Sequence, residues 1–283
     1  ATVDRVLRDI WVRATTVQPP LPTTSVVLVG LIVLAVVWSP PGYRLVRHVI
    51  TLVHEAGHAL VAKLSGRRLR GIQLHSDTSG LTLTKGRPKG PGMVATLAAG
   101  YPAPSVLGLL GAVVLGLGYA AGLLFAMVLA CVVVLLLIRN LYGLWVVLAT
   151  GVAVAALSWW ASAAVLVWVA TALVWAMLLA APRSVVELQM QRRRGQGHGS
   201  DVDQLARLTR VPAALWVGVF LVFGLATLIG GGFTPALLAT LFRNADGQIY
   251  TVAIFLMVMG VISAGAVLAI REGRHNDLTA VQH

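Results

Sequence analysis

Residues 54–58 read His-Glu-Ala-Gly-His and lie within a continuous apolar stretch, Val49–Leu64, of a very hydrophobic chain. Two histidines four residues apart share one face of an α-helix, so both imidazoles can bind a single metal ion. The glutamate between them, Glu55, is placed to accept a proton from water at such a metal. Glu55 is also the only acidic residue deep within a segment of membrane length, where a carboxylate is costly and marks a candidate functional site. The motif therefore predicts a helical metal centre inside a membrane.

The composition places the chain in a membrane. Hydrophobic residues make up 58% of the 283 residues and charged residues 11%, whereas a soluble domain has about 25% charged residues. We therefore predict an all-α integral membrane protein, a multi-span helical bundle of about eight spans. The apolar stretches long enough, or nearly so, to cross a hydrocarbon core of ~30 Å are Leu21–Trp38, Tyr43–Leu64, Met93–Leu117, Tyr119–Ile138, Leu141–Leu157, Trp159–Ala181, Val211–Ile229 and Tyr250–Ile270.

The basic residues predict an orientation. The net charge is +12, and with a cytoplasmic N-terminus and eight crossings 19 of the 22 Lys and Arg residues fall on the cytoplasmic side. Such an excess follows the positive-inside rule. We predict a multi-pass protein of a bacterial cell membrane, surrounded by the lipid bilayer, with the N- and C-termini both cytoplasmic. Nucleic acid is excluded as a partner because the basic residues are not interleaved with aromatic ones.

Residues 1–20 are predicted to precede the membrane domain as an interfacial helix. One helical face there is apolar while Arg5, Arg8 and Asp9 lie off it, which is typical of a helix lying on a membrane surface. The residues of the apolar face are Val3, Val6, Leu7, Ile10 and Trp11. No internal repeat or linker divides the rest, so residues 21–270 are predicted as one polytopic membrane domain and residues 271–283 as a cytoplasmic tail.

Two hydrophilic loops interrupt the apolar pattern, both on the predicted cytoplasmic side. In the first, Ser65–Pro91, alternating β-forming residues flank a glycine-rich turn and predict a small β-hairpin after the second span. Its edge strand, Leu81–Thr84, could pair with an extended peptide by strand addition, or the hairpin could only cap the bundle in solvent. The second loop, Pro182–Arg210, holds the arginine cluster Arg192–Arg194 and is the only long polar stretch in the second half of the chain.

A catalytic zinc site needs three protein ligands, of which His54 and His58 supply two. A cysteine ligand set is excluded because Cys131, the only cysteine, lies in an apolar segment. His48 lies about two turns before His54 on the same helix, too far along the axis to share the ion. Other titratable residues lie in the predicted hairpin or in predicted loops and tails: His75, Asp77, Glu187, Asp246, Glu272 and Asp277.

Three candidates for the third ligand remain just ahead of the seventh span: His198, Asp201 and Asp203. Ser200 is predicted to cap the following helix, with Asp203 at the third helical position as its partner. Acidic residues also suit a helix N-terminus for electrostatic reasons. This arrangement frees Asp201 to point elsewhere, so we favour Asp201 as the ligand and leave His198 and Asp203 open.

Together these segments resemble the site-2 protease family, and within it the B-type, bacterial-style branch. The resemblance covers roughly residues 45–230. It is carried by His54–His58, the glycine-rich hairpin, Ala99-Gly100-Tyr101-Pro102, Arg139-Asn140-Leu141-Tyr142-Gly143 and Ser200-Asp201. It implies an intramembrane zinc metalloprotease, with His54, His58 and Asp201 as ligands of Zn2+ and Glu55 as the general base.

The resemblance implies regulated intramembrane proteolysis, in which peptide bonds of transmembrane protein substrates are hydrolysed. The alternative is a non-catalytic membrane scaffold or zinc-binding protein that retains the protease fold. A protease of the prenyl-protein type is disfavoured because neither Glu187 nor Glu272 lies in a helical Glu-x-x-x-Asp pattern.

Away from the motif, Asn140 is interpreted as a helix-end residue, Arg139 as snorkelling to the interface, and Gly100–Ser105 as a Gly/Pro break in a membrane helix.

Overall fold

The computed structural model describes the backbone of residues 2–195 and 199–244 and the side chains of residues 3–195 and 199–232. Residues 1–236 form one compact unit, and the other unit, residues 237–283, lies almost wholly outside the described part. Within the described residues the elements in chain order are α1 (Thr2–Thr15), α2 (Thr23–Trp38), α3 (Pro40–Leu64), β1 (Arg68–Leu74), β2 (Gly80–Lys85), α4 (Pro91–Ala98), α5 (Pro102–Gly116), α6 (Ala120–Leu135), α7 (Leu141–Trp160), α8 (Ala163–Arg193), α9 (Asp201–Thr209) and α10 (Ala213–Asn244).

The mostly helical architecture is confirmed, whereas the prediction of eight spans is not. Three described helices are long and apolar enough to cross a membrane, namely α7, α8 and residues 213–232 of α10. Two bent pairs, α2 with α3 and α4 with α5, raise the number to five if each pair forms one span. Helix α6 is apolar but has only 16 residues. The predicted eighth span, Tyr250–Ile270, and the predicted tail lie outside the described residues.

The first two predicted spans meet at a bend of 96°. Ser39 is extended because the ring of Pro40 disfavours helical geometry in the residue before it. The Ser39 hydroxyl accepts a hydrogen bond from the Gly42 amide at 3.2 Å and caps α3, with Pro40 at the first helical position. As a result α3 turns away from the direction of α2, and it carries the His-Glu-Ala-Gly-His segment in its second half.

The third predicted span is broken into α4 and α5, which are bent by 63°. Pro102 begins α5 and has no amide hydrogen with which to continue the hydrogen bonding of α4. Helix α3 packs tightly on this corner, because a Cβ on Gly57 would come within 2.5 Å of Ala103 Cβ and 2.9 Å of the Ala99 carbonyl oxygen. The predicted Gly/Pro break therefore exists, and the glycine of the metal motif lets α3 approach it.

Strands β1 and β2 form the predicted antiparallel hairpin, and the segment after α6 joins the outer edge of β1. The Ile72 amide donates to the Leu137 carbonyl at 2.8 Å, and the Arg139 amide donates to the Ile72 carbonyl at 2.9 Å. Asn140 continues this pairing with its side chain, since Nδ2 donates to the Leu74 carbonyl at 2.6 Å and Oδ1 accepts from the Leu74 amide at 3.2 Å. Asn140 was predicted at a helix end, but it lies just before α7 and its side chain binds the hairpin without capping that helix.

Helix α8 is longer than the predicted sixth span, and the second hydrophilic loop is correspondingly shorter. The predicted span ended with the apolar stretch at Ala181 and the loop was predicted to begin at Pro182, but α8 continues through Pro182 to Arg193. Val185 and Leu188, beyond the proline, are buried against side chains of α4, α9 and α10. This packing offsets the backbone hydrogen bond that Pro182 cannot make. The predicted start of the loop was wrong because these tertiary contacts stabilise the helix beyond the end of the apolar stretch.

Helix α1, the predicted N-terminal helix, packs at the start of α6. The Gln18 amide donates to the Gly118 carbonyl at 2.8 Å, and the Arg13 guanidinium donates to the Trp159 carbonyl at 2.8 Å. The hairpin contacts the opposite end of α6, about 24 Å away for a helix of 16 residues. If α6 crosses the bilayer, α1 and the hairpin face opposite sides. The prediction of a shared cytoplasmic side is at odds with this arrangement, and the orientation in the cell stays a prediction.

Candidate metal centre

Three side chains that the sequence singles out converge between α3 and α9. His54 and His58 lie on one face of α3, and Asp201 is the first residue of α9. The two histidine Nε2 atoms are 3.0 Å apart, and Asp201 Oδ2 lies 3.0 Å from His54 Nε2 and 3.1 Å from His58 Nε2. Their side chains are 17%, 8% and 18% exposed for His54, His58 and Asp201. This group, buried at His58 and partly buried at His54 and Asp201, could hold a metal ion.

The hydrogen bonding of His58 shows why a cation fits at this point. His58 Nδ1 lies 2.7 Å from the Thr96 carbonyl oxygen, which can only accept, so Nδ1 carries the hydrogen and Nε2 of the neutral ring presents a lone pair. That lone pair faces a carboxylate oxygen and a second imidazole, and the repulsion between them is relieved by a positive charge at this point, either a metal ion or a proton on Nε2. Ligand atoms held at about 2.0–2.1 Å around a tetrahedral zinc ion are roughly 3.3 Å apart, close to the separations seen here. The three donors therefore fit Zn2+ in type and spacing.

Helix α9 directs two nearby aspartates to different partners. Ser200 occupies the predicted position before α9, but its hydroxyl makes no cap hydrogen bond to a helix amide and donates instead to Asp203 Oδ2 at 3.0 Å. Arg192 of α8 forms an ion pair with Asp203. Partial burial alone would raise the pKa of Asp203, but hydrogen bonds from Arg192 and Ser200 outweigh it and lower the pKa. Asp203 is thus held by these partners while Asp201 contacts the histidines, and His198 lies outside the described residues.

Gly100, at the corner between α4 and α5, lies against both imidazoles. A Cβ at this position would be 2.5 Å from His58 Nε2 and 2.6 Å from His54 Nε2. The next residue, Tyr101, packs edge-on against the His54 ring with centroids 4.7 Å apart and stacks on Phe220 of α10 at 5.4 Å. Glycine therefore leaves room where the ligand atoms converge, and Tyr101 restrains one of the two rings.

Glu55 lies on the neighbouring face of α3 and meets the hairpin. It is buried, with 5% exposure. The Thr82 hydroxyl donates to Glu55 Oε2 at 2.6 Å and lies 3.0 Å from the main-chain carbonyl oxygen of the same glutamate. Gly80 of β2 lies against the same carboxylate. Strand β2 is therefore the element that contacts the predicted general base.

A cavity of about 510 Å³ runs along α3 and includes the candidate metal centre. Residues of β2 and α8 line its sides. Two turns before His54, Arg47 donates to Glu187 Oε1 at 2.7 Å and the Tyr43 hydroxyl donates to Glu187 Oε2 at 3.1 Å. Glu187 was predicted in a loop, but it lies on α8, and its carboxylate pairs with these two residues instead of the histidines.

The remaining ligand candidates lie elsewhere. His48 is next to Tyr142, whose hydroxyl is 3.4 Å from Nδ1. Asp77 accepts hydrogen bonds from the amide and hydroxyl of Ser79 in the hairpin turn, and these bonds lower its pKa. His75 lies beside the same serine, with 3.4 Å between its Nδ1 and the hydroxyl oxygen. Asp246, Glu272 and Asp277 lie outside the described residues.

Three contributors to the centre were not identified from the sequence. Thr82 falls in a predicted strand, but nothing local indicates that its hydroxyl reaches Glu55. Thr96 contributes a main-chain carbonyl oxygen, which no side-chain pattern reveals. Gly100 was assigned only to a helix break, although a glycine beside a proline in an apolar helix is a signal for close approach of another group.

Comparison with known protein families gives a match over most of the chain. The family described as Peptidase M50B-like matches residues 27–231. The matched region contains His54, Glu55, His58 and Asp201, and it begins before the region of predicted resemblance, residues 45–230. No curated protein and no solved structure matches the chain.

Proposed function

The chain belongs to the M50B-like peptidases, the site-2 protease family, and we propose that it is an intramembrane zinc metalloprotease that cleaves membrane-embedded protein substrates. Family membership and the apolar helices support a membrane protease. The finer assignment rests on one observation, the convergence of the His54, His58 and Asp201 ligand atoms within 3.1 Å of one another in the cavity along α3.

His54, His58 and Asp201 would hold the zinc ion. Two neutral imidazoles and one carboxylate form a ligand set that leaves a fourth position open, as catalytic zinc sites require. Zinc bound there supplies Lewis acidity, which polarises the scissile carbonyl and acidifies water. The hydrogen bond from His58 Nδ1 to the Thr96 carbonyl fixes the ring and directs its lone pair toward the other two donors.

Glu55 acts as the general base. It takes a proton from the attacking water and passes it to the amine that leaves when the peptide bond breaks. Its carboxylate is buried and lines the same cavity as His54, His58 and Asp201. Thr82 occupies Oε2, while Oε1 has no hydrogen-bond donor among the described residues and is available to the proton.

The outer edge of β2 supports a binding mode for the substrate. Ile72 and Leu74 direct their main-chain groups away from β2, toward residues 137–140. Thr82 is paired with Ile72 and Gly80 with Leu74. In an antiparallel pair, the main-chain N–H and C=O groups of Thr82 and Gly80 then point away from β1. A transmembrane helix hides its own carbonyls in hydrogen bonds, so it must unwind locally before cleavage. The unwound segment pairs with this edge, which borders the cavity.

The proposal is tested with the purified protein in vesicles of phosphatidylethanolamine and phosphatidylglycerol. The probes are model transmembrane peptides with a fluorophore and a quencher at opposite ends, and products are located by mass spectrometry. Glu55→Gln keeps the size of the side chain and removes the base, so zinc content is retained while turnover falls by roughly 10²–10⁴-fold. Full activity of Glu55→Gln rejects the proposed mechanism.

The same experiment separates the enzyme from the non-catalytic alternative. A scaffold or zinc-binding protein with this fold also binds zinc through His54 and His58, so metal content alone does not distinguish the two. Zinc binding without Glu55-dependent cleavage of any peptide in the panel favours the scaffold. Loss of zinc in His54→Ala, together with Glu55-dependent cleavage in the parent protein, supports the protease.

A further inference from the structure

The hairpin is attached to α3 by two threonine hydroxyls. Thr51, on α3, donates to the Thr78 carbonyl in the hairpin turn at 2.8 Å. Thr82, on β2, donates back to Glu55. Because Thr51 and Glu55 are four residues apart, they share one face of α3. The hairpin therefore lies along the face of the metal-motif helix that carries the general base.

The Thr82 hydroxyl contacts both the side chain and the main chain of Glu55. It lies 2.6 Å from the Glu55 carboxylate oxygen Oε2 and 3.0 Å from the Glu55 main-chain carbonyl oxygen. A donor shared between these two acceptors ties the carboxylate to its own backbone and restricts the side-chain torsions between them. Both residues are shielded from solvent, Glu55 fully and Thr82 partly, so water competes weakly for the bond.

Gly80 restricts the position of the Glu55 carboxylate from another direction. A Cβ on Gly80 would lie 2.5 Å from Glu55 Cγ and 2.7 Å from Oε1, distances that side chains do not tolerate. The Gly80 α-carbon is therefore packed against Oε1 while Thr82 binds Oε2. Every residue other than glycine at position 80 would displace the glutamate or the strand.

We propose that β2 positions the general base. Thr82 and Gly80 are positioning residues that hold the Glu55 carboxylate in its reactive orientation. The same two residues present their main-chain groups to the proposed substrate edge. Pairing of a substrate with β2 therefore places the scissile segment in a fixed relation to the base. This inference rests on the proposed function, since it assigns Glu55 the role of base.

The matched variants are Thr82→Val, which keeps the shape of the side chain but removes the hydroxyl, and Thr82→Ser, which restores the hydroxyl. Thr171→Val is the control, because Thr171 is buried on α8 and its hydroxyl donates within its own helix. A hydrogen bond to a charged group is worth about 10- to 100-fold, so Thr82→Val lowers kcat by about that factor with KM nearly unchanged. Thr82→Ser restores most of the rate, and Gly80→Ala lowers kcat at least as much as Thr82→Val.

A peptidyl hydroxamate probes the same geometry without turnover, since it binds zinc and its hydroxyl donates to an adjacent carboxylate. Its affinity falls about tenfold in Thr82→Val, and falls in Glu55→Gln as well, but does not change in Thr171→Val. Zinc content and unfolding temperature of Thr82→Val match those of Thr171→Val. These results support positioning, because a merely structural residue would lower zinc content and stability along with the rate.

The outcomes separate this inference from the proposed function. Full activity of Glu55→Gln rejects the proposed function itself. A different result overturns only the positioning role. In that case Glu55→Gln is inactive, but Thr82→Val and Gly80→Ala keep the kcat and the hydroxamate affinity of the wild type. Loss of zinc or of stability in Thr82→Val beyond that of the Thr171→Val control also overturns it, by making Thr82 a structural residue.

Discussion

Two adjoining sides of the motif on α3 are held by different kinds of structure. We call the side with His54 and His58 the metal face and the side with Glu55 the base face. The face with His54 and His58 meets other helices, namely α9 through Asp201 and the corner between α4 and α5 through Gly100. The face with Glu55 meets a two-stranded hairpin. That hairpin is in turn held on its far edge by the segment after α6 and the Asn140 side chain.

This difference separates metal binding from proton transfer. Helices that pack against one another fix the three ligand atoms, so metal binding is expected to depend on helix contacts. The base depends on a hairpin that also borders the cavity. Substitutions on the first face should therefore lower zinc affinity, and substitutions on the second should lower turnover while zinc remains bound.

The largest effect is expected for Asp201→Ala. Removal of a ligand should lower zinc affinity by more than the roughly 10- to 100-fold that loss of a ligand's hydrogen-bond partner costs. Asp203→Ala, two residues along the same helix, is the matched control and should bind zinc normally because Asp203 contacts Arg192 and Ser200. Zinc affinity is measured by competition with a chelator. The reverse pattern, with zinc lost only in Asp203→Ala, would exchange the roles of the two aspartates.

Gly100→Ala should have the next largest effect on the metal face. The added Cβ would lie 2.5–2.6 Å from ring atoms of both histidines, so the rings must move from their converging positions. We expect zinc affinity to fall about 10- to 100-fold, the range for disturbing a ligand's orientation. Gly218→Ala on α10 is the control, since its Cβ would meet open space. Equal zinc affinity in both variants would show that the segment between α4 and α5 moves to accommodate the added Cβ without displacing the two histidine rings.

Only the motif of the metal face was predictable from a local rule, because the spacing of His54 and His58 follows from the helical period. Asp201 lies 147 residues from His54, and its choice over Asp203 depended on treating Ser200 as a cap and on the family resemblance. The base face was not predictable. Thr82 meets Glu55 across 27 residues, and Asn140 meets Leu74 across 66 residues. Contacts of that kind are set by packing between segments, which no local pattern encodes.

Asn140→Leu tests the base face from a distance. The substitution leaves the amide and carbonyl of Leu74 without their partners, at a cost of about 1–3 kcal/mol, and loosens the hairpin. We expect a lower unfolding temperature and lower kcat, with zinc affinity close to that of the parent protein. Hydrogen exchange at the Leu74 amide should become faster. Tyr142→Phe, in the same region of chain, is the control because its hydroxyl makes no bond to the hairpin.

A fall in zinc affinity in Asn140→Leu comparable to that in Gly100→Ala would contradict the separation of the two faces. It would mean that the hairpin also supports the ligands. Unchanged turnover and unchanged exchange at Leu74 would instead show that the remaining backbone pairing, from Ile72 to Leu137 and Arg139, holds the hairpin without Asn140.

The number of spans was the least predictable feature, for a related reason. Hydropathy reports composition but not the direction of a helix, so it gave α2 and α3 as two spans without indicating the 96° bend between them. It also ended the sixth span with the apolar stretch at Ala181, whereas α8 continues through Pro182 to Arg193. In both places the direction of a helix depends on its neighbours.

The smallest effect is expected for the ion pair between Arg192 and Asp203, which lies near the start of α9 and does not contact the histidines. Partial burial would raise the pKa of Asp203, but the hydrogen bonds from Arg192 and Ser200 lower it, so the folded state favours the charged carboxylate. Its contribution is therefore fully present above the ordinary aspartate pKa of about 3.9 and is lost as the pH falls through the lowered value. Asp203→Asn should cost about 0.5–1 kcal/mol at neutral pH. In metal-free protein, the difference in unfolding free energy between wild type and Asp203→Asn should shrink below about pH 4, and a difference that stays constant would show that the charge of Asp203 contributes nothing.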